Sequence, residues 1–167
     1  MNFLAIEFLA YFRITLYKHM KDLKAGIYIK STEELMGSFF ENTTILIVKH
    51  NEEGSVGFVT NKPFGKSLHE LIEFNHCKPF PLMDGGPVDR DHLFVLHRRP
   101  DLIEGGELFC NGLYMGGNME HVIEAINKTI ANKEEIKLFI GYCGWDLGEL
   151  ETEVEEGSWT IELPLLS

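Results

Sequence analysis

The chain has 167 residues, of which 44% are hydrophobic and 25% charged, and these values fit one soluble globular domain. Its 26 acidic and 15 basic residues give a net charge of −11. This charge repels phosphate backbones, so direct nucleic-acid binding is not expected without a local basic stripe. Three cysteines at wide spacing are typical of a reducing compartment, and we expect a cytoplasmic protein.

Residues 1–20 are rich in apolar side chains, but Glu7 interrupts the run and Arg13 follows it. This order is the reverse of a signal peptide, and the apolar run is too short for a membrane span. Large apolar residues recur every four positions, at Leu4, Phe8, Phe12 and Leu16. We interpret residues 1–20 as an N-terminal extension, either an extra helix or residues before a true start at Met20. The alternative is a helix that docks on a membrane surface or a partner. Residues 21–167 form the predicted domain.

The sequence of the first half of the domain predicts strands and short helices. In chain order they are a strand over 25–30, a short helix over 31–42, a hairpin of strands 43–50 and 55–63, and a helix at 67–74. Ser31 or Thr32 is the expected N-cap of the first of these helices. Gly54 suits the positive φ of the hairpin turn, and Ser67 with Glu70 has the spacing of a capping box.

The second half continues with a mixture of both elements. We predict a tight turn at 84–87, strands at 92–98 and 106–112, a helix at 118–133, a strand at 135–142, an acidic helix at 149–156 and a strand at 159–165. In the strand at 92–98, Leu93, Val95 and His97 are expected to face one side, and Phe94 and Leu96 the other. Asn118 caps the long helix, whose expected buried stripe is Met119, Val122, Ile123, Ile126 and Ile130. Gly141 and Gly144 are expected to turn the chain sharply so that Trp145 packs inward.

Strands outnumber helices in this pattern and are not regularly interleaved with them. That arrangement favours an α+β domain built from hairpins over a doubly wound parallel sheet.

Several side chains could carry chemistry, and each also has a structural interpretation. Asp84, Asp89 and Asp91 could hold a hard cation, but their spacing matches no EF-hand loop and solvated turn carboxylates fit better. The backbone N–H groups of Gly85 and Gly86 could bind an anion, although a lone Gly-Gly pair is more typical of a turn.

Histidine, cysteine and aromatic residues allow further alternatives. His50 or His97, each at the end of a strand, could act as a general base if a nucleophile lay beside it; a hydrogen-bonded structural histidine is the simpler interpretation. Cys143 lies between glycines and could be a nucleophile, but no partner base is evident. Tyr142 and Trp145 could pack in the core or line a groove for a ligand or partner.

Four segments together resemble one family. They are "GIYIKSTEELMGSFFENTTILIVKHNEEGSVGFVTNKP", "DGGPVDRDHLFVLH", "GYCGWDLGELETE" and the closing "SW". In this order they resemble the YqgE/AlgH family of bacterial proteins, over roughly residues 24–165. The resemblance implies a compact α+β domain of coiled, bifurcated β-sheets in a cytosolic protein. Members are described as regulators of transcription, from a role in alginate production, and have no firmly assigned activity.

The chain departs from the family pattern at three positions. Lys62 replaces an arginine, Cys143 replaces a small residue such as alanine or serine, and Glu149 replaces a glutamine. A position that accepts alanine cannot be an obligatory nucleophile, which argues against catalysis by Cys143. Lys62 lacks the planar geometry of arginine, which argues against a specific anion clamp there.

Two functional hypotheses remain. The first is a regulatory protein that acts through an unidentified protein partner or small ligand, without direct DNA contact and without a cofactor or resident metal. The second is a hydrolase-like enzyme in which Asp84, His97 and Glu149 or Glu151 surround a cation. The candidate functional residues are Asn61, Asp84, Gly85, Gly86, Pro87, His97, Gly141, Tyr142, Gly144, Trp145, Glu149 and Glu151.

Overall fold

The computed structural model describes residues 3–20 and 22–162. The helices are α1 (Phe3–Met20), α2 (Met119–Asn127) and α3 (Glu149–Glu155). The strands are β1 (Tyr28–Ser31), β2 (Thr44–Asn51), β3 (Gly54–Val59), β4 (Pro63–Ser67), β5 (Pro81–Asp84), β6 (Val88–His97), β7 (Glu107–Cys110), β8 (Leu113–Met115), β9 (Ile136–Trp145) and β10 (Trp159–Glu162).

The strands form one mainly antiparallel sheet that branches at β9. Its main path runs β10-β1-β2-β3-β9-β6-β8-β7. The last residues of β9 pair with β3, whereas Leu138, Phe139 and Ile140 pair in parallel with β5, which in turn pairs with β4. The predicted α+β fold with a bifurcated, mainly antiparallel sheet is therefore confirmed.

The hydrophobic core consists of three clusters: an inner cluster and two outer clusters, one covered by α2 and one by α3. On β2, Leu46 and Val48 contribute to the inner cluster, while Ile45 and Ile47 belong to the outer cluster that α3 covers. The second outer cluster lies under α2, where Val122 packs with residues of β6 and β9. Because successive side chains of a strand point to opposite faces, one sheet serves all three clusters.

Gly141 changes the side-chain alternation of β9. Phe139 and Tyr142 both join the inner cluster although two residues separate them, whereas strict alternation would place them on opposite faces. Gly141 has φ +71°, a left-handed conformation that glycine adopts without a Cβ penalty. Because of this irregularity, Leu138 and Ile140 in the first part of β9 pack in the cluster under α2, and Cys143 and Trp145 in the last part pack in the cluster under α3.

Most predicted elements are present. The hairpin of β2 and β3 forms with Gly54 at φ +122°, and Asn118 caps α2 by accepting hydrogen bonds from the N–H groups of Glu120 and His121. On β6, Leu93 and Val95 face the α2 cluster, and Phe94 and Leu96 face the inner cluster, as predicted. The acidic helix and the last strand also form, although residues 163–165 of that strand lie outside the described residues.

Two predicted helices are wrong in type. Residues 31–42 contain only the 3-10 turn Glu33–Leu35, with Thr32 as its N-cap. The segment 67–74 is split into two 3-10 turns, where Glu70 accepts a hydrogen bond from the Ser67 N–H. The predicted capping box of Ser67 and Glu70 is therefore present. The Ser67 hydroxyl also bonds to the backbone of Phe80, which ties the segment to the chain before β5.

The predictions for the glycine-rich segments also need correction. Residues 141–145 form the end of β9 and do not turn. The expected tight turn at 84–87 is the end of β5 followed by a direct crossing to β6. Helix α2 ends at Asn127, so Ile130 is 48% exposed and lies outside the buried stripe.

In the structure the N-terminal extension is the helix α1. Seven large apolar side chains of α1 are between 50% and 74% exposed, and we call them the α1 surface: Leu4, Ile6, Phe8, Leu9, Tyr11, Phe12 and Ile14. The side chain of Leu16 lies outside the described residues. Among residues 3–20 and 22–162, no helix is both long and apolar enough to cross a membrane.

Candidate functional site

Gly85 and Gly86 cross β9 at Gly141 with backbone packed directly on backbone. A Cβ at Gly85 would lie 2.3 Å from the Gly141 carbonyl oxygen, and a Cβ at Gly141 would lie 2.3 Å from that of Gly86. The Gly85 N–H donates to the carbonyl of Ile140 at 2.8 Å, and its carbonyl accepts from Val59 at 2.9 Å. We call this contact of Gly85 and Gly86 with Gly141 the glycine crossing. It packs segment 84–86 against β9, and the Gly85 N–H, which donates to Ile140, is not free to bind an anion.

Two of the three candidate aspartates near the crossing, Asp84 and Asp89, are in separate ion pairs. Asp84 accepts two hydrogen bonds from the Arg90 guanidinium, at 2.6 and 3.3 Å, and the same arginine donates to the Gly86 carbonyl. Asp89 pairs with His92 at 2.5 Å, and this carboxylate raises the pKa of His92. Among the described residues, no group of three or more His, Cys, Asp or Glu side chains is arranged to hold a metal ion.

His97 is 1% exposed, and both of its ring nitrogens are used. Nδ1 accepts a hydrogen bond from the Arg99 N–H at 3.2 Å, and Nε2 donates to the Gly116 carbonyl at 3.1 Å. Burial lowers the pKa of His97, which keeps the ring neutral. His97 pairs with Ile136, which lies six positions before Tyr142 on β9, so roughly 20 Å separate His97 from Tyr142. His97 therefore does not join the glycine crossing.

Trp145 and Glu149 belong to the attachment of α3. Trp145 is 7% exposed and donates its indole N–H to Glu153 of α3 at 2.9 Å. Glu149 accepts a hydrogen bond from the Asp146 N–H at 2.8 Å, which fixes the start of the same helix. The expectation that Trp145 packs inward is correct, and it lies on the face of the sheet opposite to Tyr142.

Glu151 forms part of a serine–histidine–glutamate chain that sequence reasoning missed. Ser55 Oγ lies 2.7 Å from His50 Nδ1, and His50 Nε2 lies 3.5 Å from a carboxylate oxygen of Glu151. The arrangement resembles a catalytic triad in composition, but Ser55 is only 3% exposed. A nucleophile must reach its substrate, so we assign the chain to the attachment of α3 to the β2–β3 hairpin.

The remaining polar candidate ties two loops together. Asn61 accepts a hydrogen bond from the Thr44 N–H at 3.0 Å and donates to the Asn42 carbonyl at 2.8 Å. Next to it, Lys62 donates to the Phe39 carbonyl at 2.7 Å, so its ammonium group is used inside the protein. Pro87 and Gly144 are exposed.

Cys143 is 1% exposed, and its thiol lies 3.5 Å from the Gly85 carbonyl. Burial raises the pKa of the Cys143 thiol to about 12, with a smaller contribution from the charge of Asp84. A thiol in this state supplies almost no thiolate at neutral pH, which agrees with the argument against a nucleophilic role.

A cavity opens beside Tyr142 where the inner cluster meets the cluster under α2, and we call it the Tyr142 cavity. Its volume is about 360 Å³. Its lining is mainly apolar and comes from β3, β6, β8, β9 and the start of α2: Val56, Phe58, Leu93, Phe94, Val95, Met115, Gly116, Gly117, Met119 and Tyr142. The rings of Phe94 and Tyr142 meet edge to face at 5.4 Å within this lining.

Of the twelve candidate residues, only Tyr142 lines this cavity. Asp84, Gly85, Gly86 and Gly141 meet at the glycine crossing, while His97 and the α3 residues lie elsewhere. The alternation of the strand residues in this lining indicates only a strand face, and Met119 belongs to the predicted buried stripe of a helix. Phe94 and Tyr142 could have been paired from the sequence only with knowledge that β6 and β9 are neighbours.

Comparison with known proteins decides the family. Residues 28–163 match a family described as AlgH-like. The chain belongs to the AlgH-like family. The UPF0301 protein of Chlorobaculum tepidum is 41% identical over 137 residues, which cover 82% of this chain and 73% of that protein. A UPF0301 protein of Bacteroides fragilis is 37% identical over 123 residues, covering 73% and 62% of the two chains.

Two solved structures share the fold. The solution structure of the AlgH protein from Pseudomonas aeruginosa is 27% identical, with a TM-score of 0.66, and the match covers 83% of this chain and 76% of that one. The crystal structure of protein DIP2367 from Corynebacterium diphtheriae is 23% identical, with a TM-score of 0.67 and coverage of 86% and 78%. The resemblance to the YqgE/AlgH family is thus confirmed for this AlgH-like chain.

Proposed function

We propose that this AlgH-like protein is a regulatory binding protein that acts by contact and accepts an apolar side chain of a partner protein in the Tyr142 cavity. The observation that carries the proposal is the cavity itself, with its volume of about 360 Å³ and mainly apolar lining. Sites for small ligands have volumes of about 300–1,000 Å³, so this one has room for a single leucine-sized or phenylalanine-sized group.

The chemistry of the lining favours an apolar occupant. Phe94 and Tyr142 present ring edges and faces, and Met115 offers a flexible side chain that adapts to different shapes. Burial of one large apolar side chain contributes about 1.5–3 kcal/mol, which is enough for an anchor within a larger contact. The cavity would therefore supply one hydrophobic anchor point, with the rest of the affinity coming from the surrounding surface.

A protein partner fits the charge better than a nucleic acid does. The net charge is −11, and a basic stripe would be needed to offset it near a phosphate backbone. A role in transcription would therefore be indirect, through the partner. All three cysteines are free, which supports work in the reducing cytoplasm.

The positions of the candidate catalytic groups favour a binding protein over an enzyme. Asp84 is paired with Arg90, His97 is buried with both nitrogens bonded, and Glu151 lies beside His50. These three side chains do not converge on one cleft, so the arrangement that a hydrolase would need has no geometric support.

The test is an NMR titration of ¹⁵N-labelled protein with indole and with N-acetyl-leucinamide, which stand in for partner side chains. We expect localised shift changes at Val56, Phe94, Met115 and Tyr142. The Val56→Phe variant, which fills the cavity from β3, should abolish them. Leu147→Phe, at a side chain that is 68% exposed on another surface, is the matched control and should titrate like the wild type. Scattered changes, or changes that persist in Val56→Phe, would refute the proposal.

A further inference from the structure

The α1 surface is uncovered around the whole helix. With 3.6 residues per turn, its seven side chains point in all directions around the helix axis, and each is at least 50% exposed. The backbone of α1 passes close to α3, but this contact leaves the α1 surface open. A helix that is apolar on all sides is normally buried in an assembly or a core, so α1 lacks a cover in the single chain.

The α1 surface is large enough for a stable contact among several copies. Aromatic side chains carry 150–250 Å² each, so seven large apolar side chains at these exposures leave roughly 100 Å² each, or about 700 Å² in total. One neighbouring helix covers only one side of α1, so a pair of copies buries about half of their combined area, or roughly 700 Å². A bundle of three or four copies covers more sides of each helix and reaches the usual range of about 1,200–2,000 Å² for specific protein interfaces.

Charge indicates what can approach this surface. Between Phe3 and Thr15 the helix has one acidic and one basic residue, Glu7 and Arg13, whereas the whole chain carries −11. The α1 surface is therefore where two copies of this acidic protein meet with the least repulsion. An anionic lipid surface is a poorer match, because helices that lie on membranes have a distinct basic face and the stretch from Phe3 to Thr15 has Arg13 as its single Lys or Arg.

We propose that α1 is a self-association helix, on which the α1 surface of a second copy of this chain packs. The family match begins at residue 28, so α1 precedes the shared AlgH-like domain and the assembly would be a property that this extension adds. Since apolar burial drives the contact while the −11 charges of the two domains oppose it, raising the salt concentration should tighten the association. The proposal does not depend on the Tyr142 cavity.

The experiment is sedimentation equilibrium of the full chain at protein concentrations on the order of 10–100 µM. We expect a dimer or a larger assembly for the wild type, tighter at high salt. Phe8→Lys and Tyr11→Lys, at side chains 72% and 74% exposed, should each raise the dissociation constant at least tenfold. Ile72→Lys is the matched control, because that side chain is 90% exposed on the domain, and it should associate like the wild type.

Because the altered side chains are exposed, we expect each variant to keep the helix and the domain, and circular dichroism verifies this. A wild-type chain that stays monomeric throughout would overturn the proposal, as would variants that associate as tightly as the wild type. A monomer that instead binds vesicles of phosphatidylcholine and phosphatidylglycerol would also overturn it and would assign α1 to a membrane surface.

Discussion

The indole rings of Trp145 and Trp159 meet edge to face, with centroids 6.2 Å apart, and their N–H groups donate to the same oxygen of Glu153. The distances are 2.9 Å and 2.7 Å. One carboxylate of α3 therefore satisfies two buried donors from β9 and β10. Trp145, for which the sequence left core packing and a groove open, and Trp159 together hold α3 against the sheet.

Removal of the Glu153 carboxylate should destabilise the fold. Glu153→Ala leaves two buried indole N–H groups without an acceptor, at about 1–3 kcal/mol each, so we expect a loss of about 2–6 kcal/mol. Glu153→Gln keeps one acceptor oxygen and should lose less. Urea unfolding followed by tryptophan fluorescence measures this directly, because Trp145 and Trp159 are the only two tryptophans in the sequence.

The control for this prediction is Glu155→Ala, an exposed position on the same helix. It should change the free energy of unfolding by less than about 0.5 kcal/mol. If Glu153→Ala and Glu155→Ala lowered the free energy of unfolding equally, the shared carboxylate would not be what stabilises the packing of α3 on the sheet.

A side chain at Gly141 should be poorly tolerated. Gly141→Ala combines a left-handed backbone, which costs about 1–2 kcal/mol, with overlap against the Gly86 carbonyl, which costs about 1–3 kcal/mol more. We expect a total loss of about 3 kcal/mol or more in thermal or urea unfolding.

Two other glycines separate these contributions. Gly157 has φ +85° but no described atom within 4 Å of a built Cβ, so Gly157→Ala should show the backbone cost alone. Gly144 lacks the positive φ, and its nearest contact would be 3.4 Å, so Gly144→Ala should be the mildest. If all three substitutions cost the same, close packing at the glycine crossing is not what requires Gly141.

The sequence was most informative where one face of an element is buried and least informative where partners come from distant strands. The alternation in 92–98 predicted the two faces of β6 correctly. The irregularity at Gly141 could not be read locally, because a glycine between apolar residues is also typical of a turn. Only the contact with Gly86 explains why the strand continues.

The stability of the protein should fall as the pH drops below about 6.5 through His97. Burial lowers the folded-state pKa of His97 below the unfolded value, so the unfolded chain takes up the proton first. The free energy of unfolding then decreases with falling pH, by at most about 1.4 kcal/mol per pH unit, until the folded-state pKa is passed.

The measurement for His97 is urea unfolding between about pH 7 and pH 5, together with an NMR titration of its ring. His97→Gln removes the titrating group, so its pH slope in this interval should be shallower than that of the wild type. Identical slopes, or a ring that titrates above 6.5, would contradict the assignment of a buried neutral histidine.

The Cys143 thiol should be inert in the folded protein. A pKa of about 12 and 1% exposure leave almost no accessible thiolate at pH 8, so iodoacetamide should modify Cys143 only after unfolding. Peptide mass spectrometry measures the rate, and Cys110, which is only partly buried, provides an internal comparison. Rapid native modification of Cys143 would reopen a reactive role.

The candidate site could be predicted only in part. The sequence left Tyr142 open between core packing and a groove, and in the structure it both joins the inner cluster and lines an apolar cavity. The other walls come from β3, β6 and β8, whose adjacency depends on long-range pairing that no local pattern encodes. Asp84, His97 and Glu151 were selected for their chemistry, but that chemistry is used in ion pairs and hydrogen bonds within the fold.

The most direct test of contact at the Tyr142 cavity is the free energy of unfolding of the wild type and Val56→Phe, each with and without indole. At ten times its dissociation constant, a bound probe should stabilise the wild type by about 1.4 kcal/mol, and Val56→Phe by close to zero. Equal stabilisation of both proteins, or none of the wild type at saturating indole, would contradict the account.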